Sequence, residues 1–213
     1  MDIIYRRAEE KDYPAIVNLV RETYWNVYRP GCLDHYIVHL IHENKLSVPG
    51  MEYVAELDGE IVGHIIYTDA RIEQHENLRR LLYLSCLSVK PELQNQGIGS
   101  TLMRMTLDKA CQNRYKAVLV RGRPAYCKKF GFVQAAIWGI YFEDMFRSEE
   151  FFMIKELGRD SVIGFSGRAV IDQVYFPDEK VAAEFDAQFP PKVKAIQEGQ
   201  LQDTDRFVKE SFL

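Results

Sequence analysis

The stretch from Leu81 to Val89 (LLYLSCLSV) restricts the fold more than any other part of the chain, because it is apolar on both faces. A strand with two apolar faces belongs in a sheet that is covered on both sides. Pro91 ends the strand, and over residues 97–113 the apolar positions return at helical spacing. The strand therefore leads through a short polar loop into an amphipathic helix, whose apolar face would pack on the same sheet. This unit predicts a mixed α/β fold.

The segments around this unit predict further helices and strands. Asp58-Gly59 lies between two β-rich runs, residues 53–57 and 60–67, and favours a tight type I′ hairpin because both turn residues need positive φ. Helical spacing predicts one helix over residues 11–24 and another from Asp34, a good N-cap, to Glu43. The remaining expectations are strands at 3–7, 117–120, 132–136 and 150–157, a short helix at 124–129 and a polar loop at 71–80.

Composition changes after Gly158, and this change suggests a domain boundary. We expect one domain over residues 1–157 and a C-terminal extension over residues 158–213, which is interrupted by several glycines and prolines. The extension keeps enough apolar residues to dock on the domain or on a second subunit, so a homodimer is one expectation. The extension is not expected to belong to the site in the polar loop.

Charge and cysteine content exclude several classes of function. The net charge is -4 and the isoelectric point is near 5.8, so a broad basic face for nucleic acid is not expected. The apolar runs are too short to cross a bilayer, the N-terminus has no signal-like apolar core, and no partner membrane is expected. The four cysteines show no Cys-x-x-Cys spacing, and Cys86 and Cys111 are expected to be buried. These features predict a reduced, cytoplasmic protein.

The polar loop at residues 90–97 is the strongest candidate for a ligand site. The first N–H groups of a helix have no partner within it and lie at the positive end of its dipole, so they attract phosphate. Gly97 and Gly99 would let a ligand approach the backbone. A Walker A loop is excluded because no lysine follows Gly99, and the dinucleotide fingerprint is excluded because Leu102 stands where its third glycine belongs. A nucleotide-binding module of another α/β family is a weaker alternative.

The loop and its neighbours resemble the GCN5-related N-acetyltransferase (GNAT) superfamily. The family pattern Gln/Arg-x-x-Gly-x-Gly/Ala is matched by Gln94-Asn95-Gln96-Gly97-Ile98-Gly99. The segment Leu87-Ser88-Val89-Lys90-Pro91 is similar to the family's central strand, and Gly131-Phe132 matches a second family motif. The resemblance implies a mostly antiparallel sheet that is splayed at its central strand. It also implies acetyl-CoA or another acyl-CoA as co-substrate, with no metal, and transfer of the acyl group to a primary amine.

The same resemblance assigns the cofactor-binding residues. In the family, the pantetheine arm pairs with the backbone of the central strand as a pseudo-strand, which here involves Leu87, Ser88 and Val89. The backbone amides of the loop should hold the pyrophosphate. These amides belong to Gln94, Asn95, Gln96, Gly97, Ile98, Gly99 and Ser100.

The chain departs from the family at the residue that often serves as general acid. That residue is a tyrosine four positions before the glycine of Gly-Phe, and here the position holds Cys127, while Tyr126 stands one residue earlier. On a helix one residue is a turn of about 100°, so both side chains cannot point at the thioester. Three assignments stay open: Tyr126 is the acid, Cys127 is the acid, or solvent protonates the thiolate. The departure also motivates an alternative function, a non-catalytic acyl-CoA-binding sensor or structural domain.

Histidines and aromatic residues give further candidates. His35, His39 and His42 share one face of the second predicted helix, but without a paired carboxylate or cysteine this spacing does not predict a metal site. Aromatic residues and two acids could line a pocket for an amine acceptor, either a small molecule or a peptide, and a packing or dimer role is the alternative. They are Tyr24, Trp25, Tyr28, Trp138, Tyr141, Phe142, Glu143, Asp144, Phe146, Phe151 and Phe152.

Overall fold

A computed structural model describes residues 2–73, 81–142, 150–197 and 200. The helices in these residues are α1 (Tyr13–Tyr24), α2 (Asp34–Glu43), α3 (Ile98–Gln112), α4 (Pro124–Cys127) and α5 (Glu179–Asp186). The strands are β1 (Ile4–Arg7), β2 (Ser47–Leu57), β3 (Glu60–Ile72), β4 (Leu81–Val89), β5 (Ala117–Arg121), β6 (Val133–Gln134), β7 (Ile140–Phe142), β8 (Phe152–Glu156) and β9 (Gly167–Val170). No helix in the described part of the chain is long and apolar enough to cross a membrane.

The strands form one mixed sheet in the order β1-β2-β3-β4-β5-β8-β6. All pairs along this path are antiparallel except β4–β5, which is parallel. The hairpin β2–β3 turns at Asp58 and Gly59, whose φ angles of 51° and 83° are those of the predicted type I′ turn. The expectation of a mixed, mostly antiparallel sheet covered by helices is confirmed.

The sheet is splayed beside its central strand. β5 pairs with β4 from Leu81↔Ala117 as far as Leu84↔Val120, and no pairing between the two strands follows. β4 nevertheless continues to Val89 along β3. Opposite Ile66 and Tyr67 of β3 the register shifts by one residue, so Ser85 is an extra residue in β4. The bulge and the divergence together open a notch between β4 and β5.

Helices cover both faces of the sheet, as the apolar central strand requires. On one face α3 buries Ile98, Leu102 and Leu107 against β2, β3 and β4. On the other face α1 and α2 bury Ile16, Val20, Val38 and Ile41 against Val54, Ile66 and Cys86. Met103 and Thr106 of α3 are also buried, whereas Met105 is half-buried.

The segment beyond residue 157 packs closely on the rest of the chain. β9 pairs with β3 through Arg71↔Val170 and Ile72↔Ala169, and with β7 in parallel. Val162 and Phe165 are buried in the same cluster as Leu81 and Leu119. Arg21, which is 1% exposed, donates from Nε to Asp186 Oδ1 at 2.6 Å and thereby ties α5 to α1. The division at residue 157 stays a prediction.

Three local expectations from the sequence are wrong. Cys111 is exposed, because it lies on the solvent side of α3. Residues 71–72, expected in a loop, extend β3 and pair with β9. The strand expected over 132–136 is limited to Val133–Gln134 and gives way to a 3-10 turn, so the sheet ends there with a very short edge strand.

Candidate active site

The notch between β4 and β5 opens into a cavity of about 660 Å³. Its walls come from the end of α1 and the residues after it, from β4, from the start of α3, and from the β5–α4 connection. Of the candidates from the sequence, the lining includes Leu87, Val89, Gln94, Asn95, Gly97, Ile98, Gly99, Ser100, Tyr126 and Cys127. Ser88 and Gln96 are not in the lining: Ser88 is fully buried beside Cys86, and Gln96 is exposed.

The unpaired edge of β4 offers backbone groups to the cavity. The Leu87 carbonyl accepts a hydrogen bond from the Tyr24 hydroxyl at 2.6 Å. The Val89 carbonyl accepts from Thr23 Oγ1 at 3.2 Å and from Gln94 Nε2 at 3.1 Å. Side chains therefore bind these carbonyls where a neighbouring strand would bind them in an unbroken sheet. An extended amide-containing ligand could take their place.

The start of α3 has the geometry of an anion site. Asn95 and Gly97 have positive φ angles of 62° and 90°, which turn successive backbone N–H groups toward one side of the loop. A Cβ built on Gly97 would meet no atom within 4 Å, so the space over this residue is open. The free N–H groups of the first turn add the positive end of the helix dipole. This end of the cavity suits a phosphate or pyrophosphate.

Tyr126 and Cys127 point in different directions. The Tyr126 hydroxyl lies 3.2 Å from the position that a Cβ on Gly99 would occupy, and Ser100 hydrogen-bonds to it. Tyr126 therefore reaches across to the first turn of α3. Cys127 is 3% exposed, and its Sγ lies against Gly122. Burial raises the pKa of the Cys127 thiol to about 11, so the thiol stays protonated at neutral pH.

Similar proteins identify the family. Residues 50–134 match a family profile that is described as "Acetyltransferase (GNAT) domain". An uncharacterized N-acetyltransferase of Archaeoglobus fulgidus is 31% identical over 127 residues, which cover 57% of this chain and 83% of that protein. The chain belongs to the GNAT superfamily. The uncharacterized N-acetyltransferase YjhQ of Escherichia coli is 28% identical over 100 residues, which cover 47% of this chain and 55% of YjhQ, little more than half of its length.

Solved GNAT structures share the fold. The N-acetyltransferase YhbS from Escherichia coli in complex with CoA has a TM-score of 0.73 at 22% identity, over 81% of this chain and 91% of YhbS. A GNAT acetyltransferase from Brucella melitensis in complex with acetyl-CoA has a TM-score of 0.67 at 21% identity, over 82% of this chain and 98% of that chain. At these identities the likeness shows the GNAT fold.

The wall of the cavity opposite α4 is aromatic. Tyr24 and Tyr28 both line it, with stacked rings whose centroids are 5.6 Å apart. Burial raises the pKa of Tyr28 to about 12, Asp34 adds to the rise, and Arg123 opposes it. The Arg123 guanidinium lies 5.7 Å from the centroid of the Tyr28 ring, so a residue of the β5–α4 connection contacts the α1 side of the cavity.

Three cations of the lining were missed by the sequence analysis: Arg121, Arg123 and Lys129. Their position in the sequence could have indicated them, since they lie between the strand predicted over residues 117–120 and Gly131-Phe132 of the second GNAT motif. Lys129 lies 5.9 Å from the centroid of the Tyr126 ring, on the side of the cavity that faces the start of α3. No Asp, Glu or His is among the described lining residues. The cavity therefore favours anionic ligands.

The other aromatic candidates lie away from this cavity. Phe142 and Phe152 are buried in the cluster beneath β5 and β9, with Trp138 packed against it. Glu143, Asp144 and Phe146 lie outside the described residues. Among the predicted pocket residues that the structure describes, only Tyr24 and Tyr28 belong to the lining.

The three histidines of α2 do not gather around one point. His35 is fully buried, with Nε2 3.3 Å from Asp186, and His39 stacks on Phe185 with centroids 4.5 Å apart. His42 instead hydrogen-bonds through Nε2 to Glu52 Oε1 at 2.7 Å, and His64 Nε2 lies 2.9 Å from the same oxygen. These hydrogen bonds outweigh burial and hold the pKa of Glu52 at about 2. The hydrogen-bonded side chains of His42, Glu52 and His64 therefore join α2 to β2 and β3.

Proposed function

We propose that this GNAT protein is an acyl-CoA-dependent N-acyltransferase that transfers acetyl from acetyl-CoA to a primary amine. One observation supports this most: β4 and β5 diverge after Leu84↔Val120, and the resulting cavity runs from the notch to the phosphate-compatible start of α3. A pantetheine arm fits the unpaired edge of β4, because its amides can bond to Leu87 and Val89. The pyrophosphate would then lie at residues 94–100, which places the thioester deeper in the notch.

The reaction is direct attack. The amine nitrogen forms a bond to the thioester carbonyl carbon, and the carbon–sulfur bond breaks to release CoA. Holding both reactants in one cavity supplies much of the acceleration, since effective molarities of oriented groups reach about 10⁵–10⁸ M. In this scheme water accepts the proton that the amine loses.

Two measurements test the proposal. Calorimetric titration with CoA and acetyl-CoA should show binding of one equivalent. Incubation with acetyl-CoA and a panel of small amines, amino acids and peptides should give an amide product detectable by mass spectrometry. Binding of CoA without product from any amine would contradict the enzymatic proposal.

Cys127 supports a second candidate, a non-catalytic acyl-CoA-binding domain. Its buried, protonated thiol is a weaker proton donor than the family tyrosine and is held against Gly122. Under this alternative acetyl-CoA binds and remains intact. Turnover with any nucleophile at a rate above the uncatalysed reaction would rule it out.

A further inference from the structure

The leaving CoA thiolate needs a proton, and neither residue of the second GNAT motif is well placed to supply it. The Tyr126 hydroxyl lies at Ser100 and Gly99, at the end of the cavity that suits pyrophosphate. Cys127 stands at the family acid position, but its thiol is buried against Gly122. If the proposed function is correct, the proton comes either from solvent or from an acid on another wall of the notch.

Tyr28 occupies that place from the opposite wall. It lines the cavity together with Cys86 of β4 and Cys127 of α4. Cys86 and Cys127 belong to the two sides of the notch. The Tyr28 ring stacks on Tyr24, whose hydroxyl binds the Leu87 carbonyl of β4, and the Arg123 guanidinium of the β5–α4 connection lies 5.7 Å from the centroid of the Tyr28 ring. Tyr28 is therefore flanked from both sides of the notch, where a thioester would lie.

The surroundings of Tyr28 suit a proton donor. No hydrogen bond joins its hydroxyl to another described residue, whereas the Tyr24 hydroxyl is committed to the Leu87 carbonyl at 2.6 Å. Stacking on Tyr24 fixes the Tyr28 ring. Arg123, 5.7 Å from the ring centroid, offsets part of the cost that burial places on the phenolate that forms when the proton leaves.

We propose that Tyr28 is the catalytic residue that protonates the CoA sulfur, in place of the tyrosine that Cys127 replaces. After the amine has attacked, the tetrahedral intermediate collapses, the carbon–sulfur bond breaks, and sulfur takes its electron pair. The Tyr28 O–H proton passes to that sulfur and gives neutral CoA thiol. The phenolate regains a proton from water, and the amine proton has gone to water, so the overall reaction is balanced. The proposal rests on the proposed N-acyltransferase function.

The test uses the full chain and measures single turnovers of bound acetyl-CoA. Hydroxylamine serves as the nucleophile, because it needs no acceptor pocket, and acetohydroxamate is quantified by mass spectrometry. We expect Tyr28→Phe to lower the single-turnover rate at least about tenfold, at the low end of general-acid effects because a thiolate is a modest base. The affinity for acetyl-CoA should change less than about threefold, because the lost interaction acts only when sulfur leaves.

Two comparison variants separate an acid from a merely structural hydroxyl. Tyr67→Phe removes a phenol hydroxyl from β3 that is buried and 2.7 Å from Thr106 Oγ1, outside the cavity lining, and should leave rate and affinity unchanged. Tyr126→Phe should weaken acetyl-CoA binding, and its single-turnover rate should fall less than that of Tyr28→Phe. In Tyr28→Phe, but not in the wild type, the rate should rise with the concentration of buffer acid at constant pH.

The outcomes separate the two proposals. If the wild type accelerates acyl transfer and Tyr28→Phe is within about twofold of it, the assignment of Tyr28 is overturned while the enzymatic function stands. A rate loss in Tyr126→Phe, with Tyr28→Phe unaffected, overturns it in favour of Tyr126. If the wild type binds acetyl-CoA but transfers it neither to hydroxylamine nor to any amine, the enzymatic function fails, and the role of Tyr28 fails with it.

Discussion

Replacing Gly97 by alanine tests where the pyrophosphate binds. Gly97 has φ of 90°, and an added Cβ would meet no protein atom within 4 Å. The substitution therefore causes no clash within the protein, and the new methyl group enters only the open space above the loop. Gly59 in the β2–β3 turn is a matched control, since it has φ of 83° and also no atom within 4 Å of a built Cβ.

Both substitutions should lower stability by a similar small amount. A left-handed conformation costs a non-glycine residue roughly 1–2 kcal/mol. Alanine also restricts the unfolded chain, which offsets about 0.4–1 kcal/mol of that cost. The net loss of unfolding free energy should be about 1 kcal/mol for each variant. Only Gly97→Ala should affect ligand binding, because a hydrogen bond to a charged phosphate contributes ~1.5–3 kcal/mol and the methyl group displaces at least one.

The assay is calorimetric titration with CoA, together with urea unfolding of each variant. A loss of 1.5–3 kcal/mol corresponds to a Kd about 10–150 times higher for Gly97→Ala. Gly59→Ala should bind CoA as the wild type does. If Gly97→Ala binds CoA as tightly as Gly59→Ala, the pyrophosphate does not lie over this loop and the assignment of residues 94–100 is wrong.

Two further predictions concern stability. Asp186→Asn leaves the buried Arg21 charge without its carboxylate and should lower the unfolding free energy by ~3–5 kcal/mol in urea titrations. Glu179→Gln, which breaks an exposed pair with Arg29, should change it by less than about 1 kcal/mol. Lowering the pH should also destabilise the protein, because burial lowers the pKa of His35 to about 4 and also lowers that of His64. As the pH falls, the histidines of the unfolded chain bind protons at a higher pH than those of the folded protein. The unfolding free energy should therefore fall from pH 6.5 toward 4, by ~3 kcal/mol for His35 alone. A urea midpoint that is equal at pH 7.5 and pH 5 would contradict this.

The parts of the fold that the sequence predicted well are those set by neighbouring residues. The hairpin at Asp58-Gly59, the helix that begins at Ile98 and the apolar strand ending at Val89 each depend on spacing within about 20 residues. The loop before Ile98 could be assigned for the same reason, because a glycine with positive φ and a helix start are local features.

The parts that it missed depend on contacts between distant residues. β9 has four residues, and it forms because β3 and β7 offer it partners, as in Arg71↔Val170. Helical spacing placed His35 and His42 on one face, but the polar partners that separate them, Asp186 and Glu52, come from α5 and β2. No periodicity within one segment carries such information.

Cys127 stands where the family has a tyrosine, and Tyr28 lies on the opposite wall of the cavity. The two positions are structurally linked, because both side chains line the same cavity. Cys127 Sγ already lies 3.0 Å from the place of a Cβ on Gly122, so a tyrosine ring at 127 would extend away from Gly122 into the cavity that Tyr28 also lines. Cys127→Tyr should therefore destabilise the protein by about 1–3 kcal/mol, the usual cost of overpacking. In the Tyr28→Ala background the same change should cost less, with a coupling of about 1 kcal/mol or more in a double-mutant cycle. If urea titrations give additive effects, the two positions do not share space. The idea that the Tyr28 phenol takes the place of the family tyrosine at position 127 would then lose its structural basis.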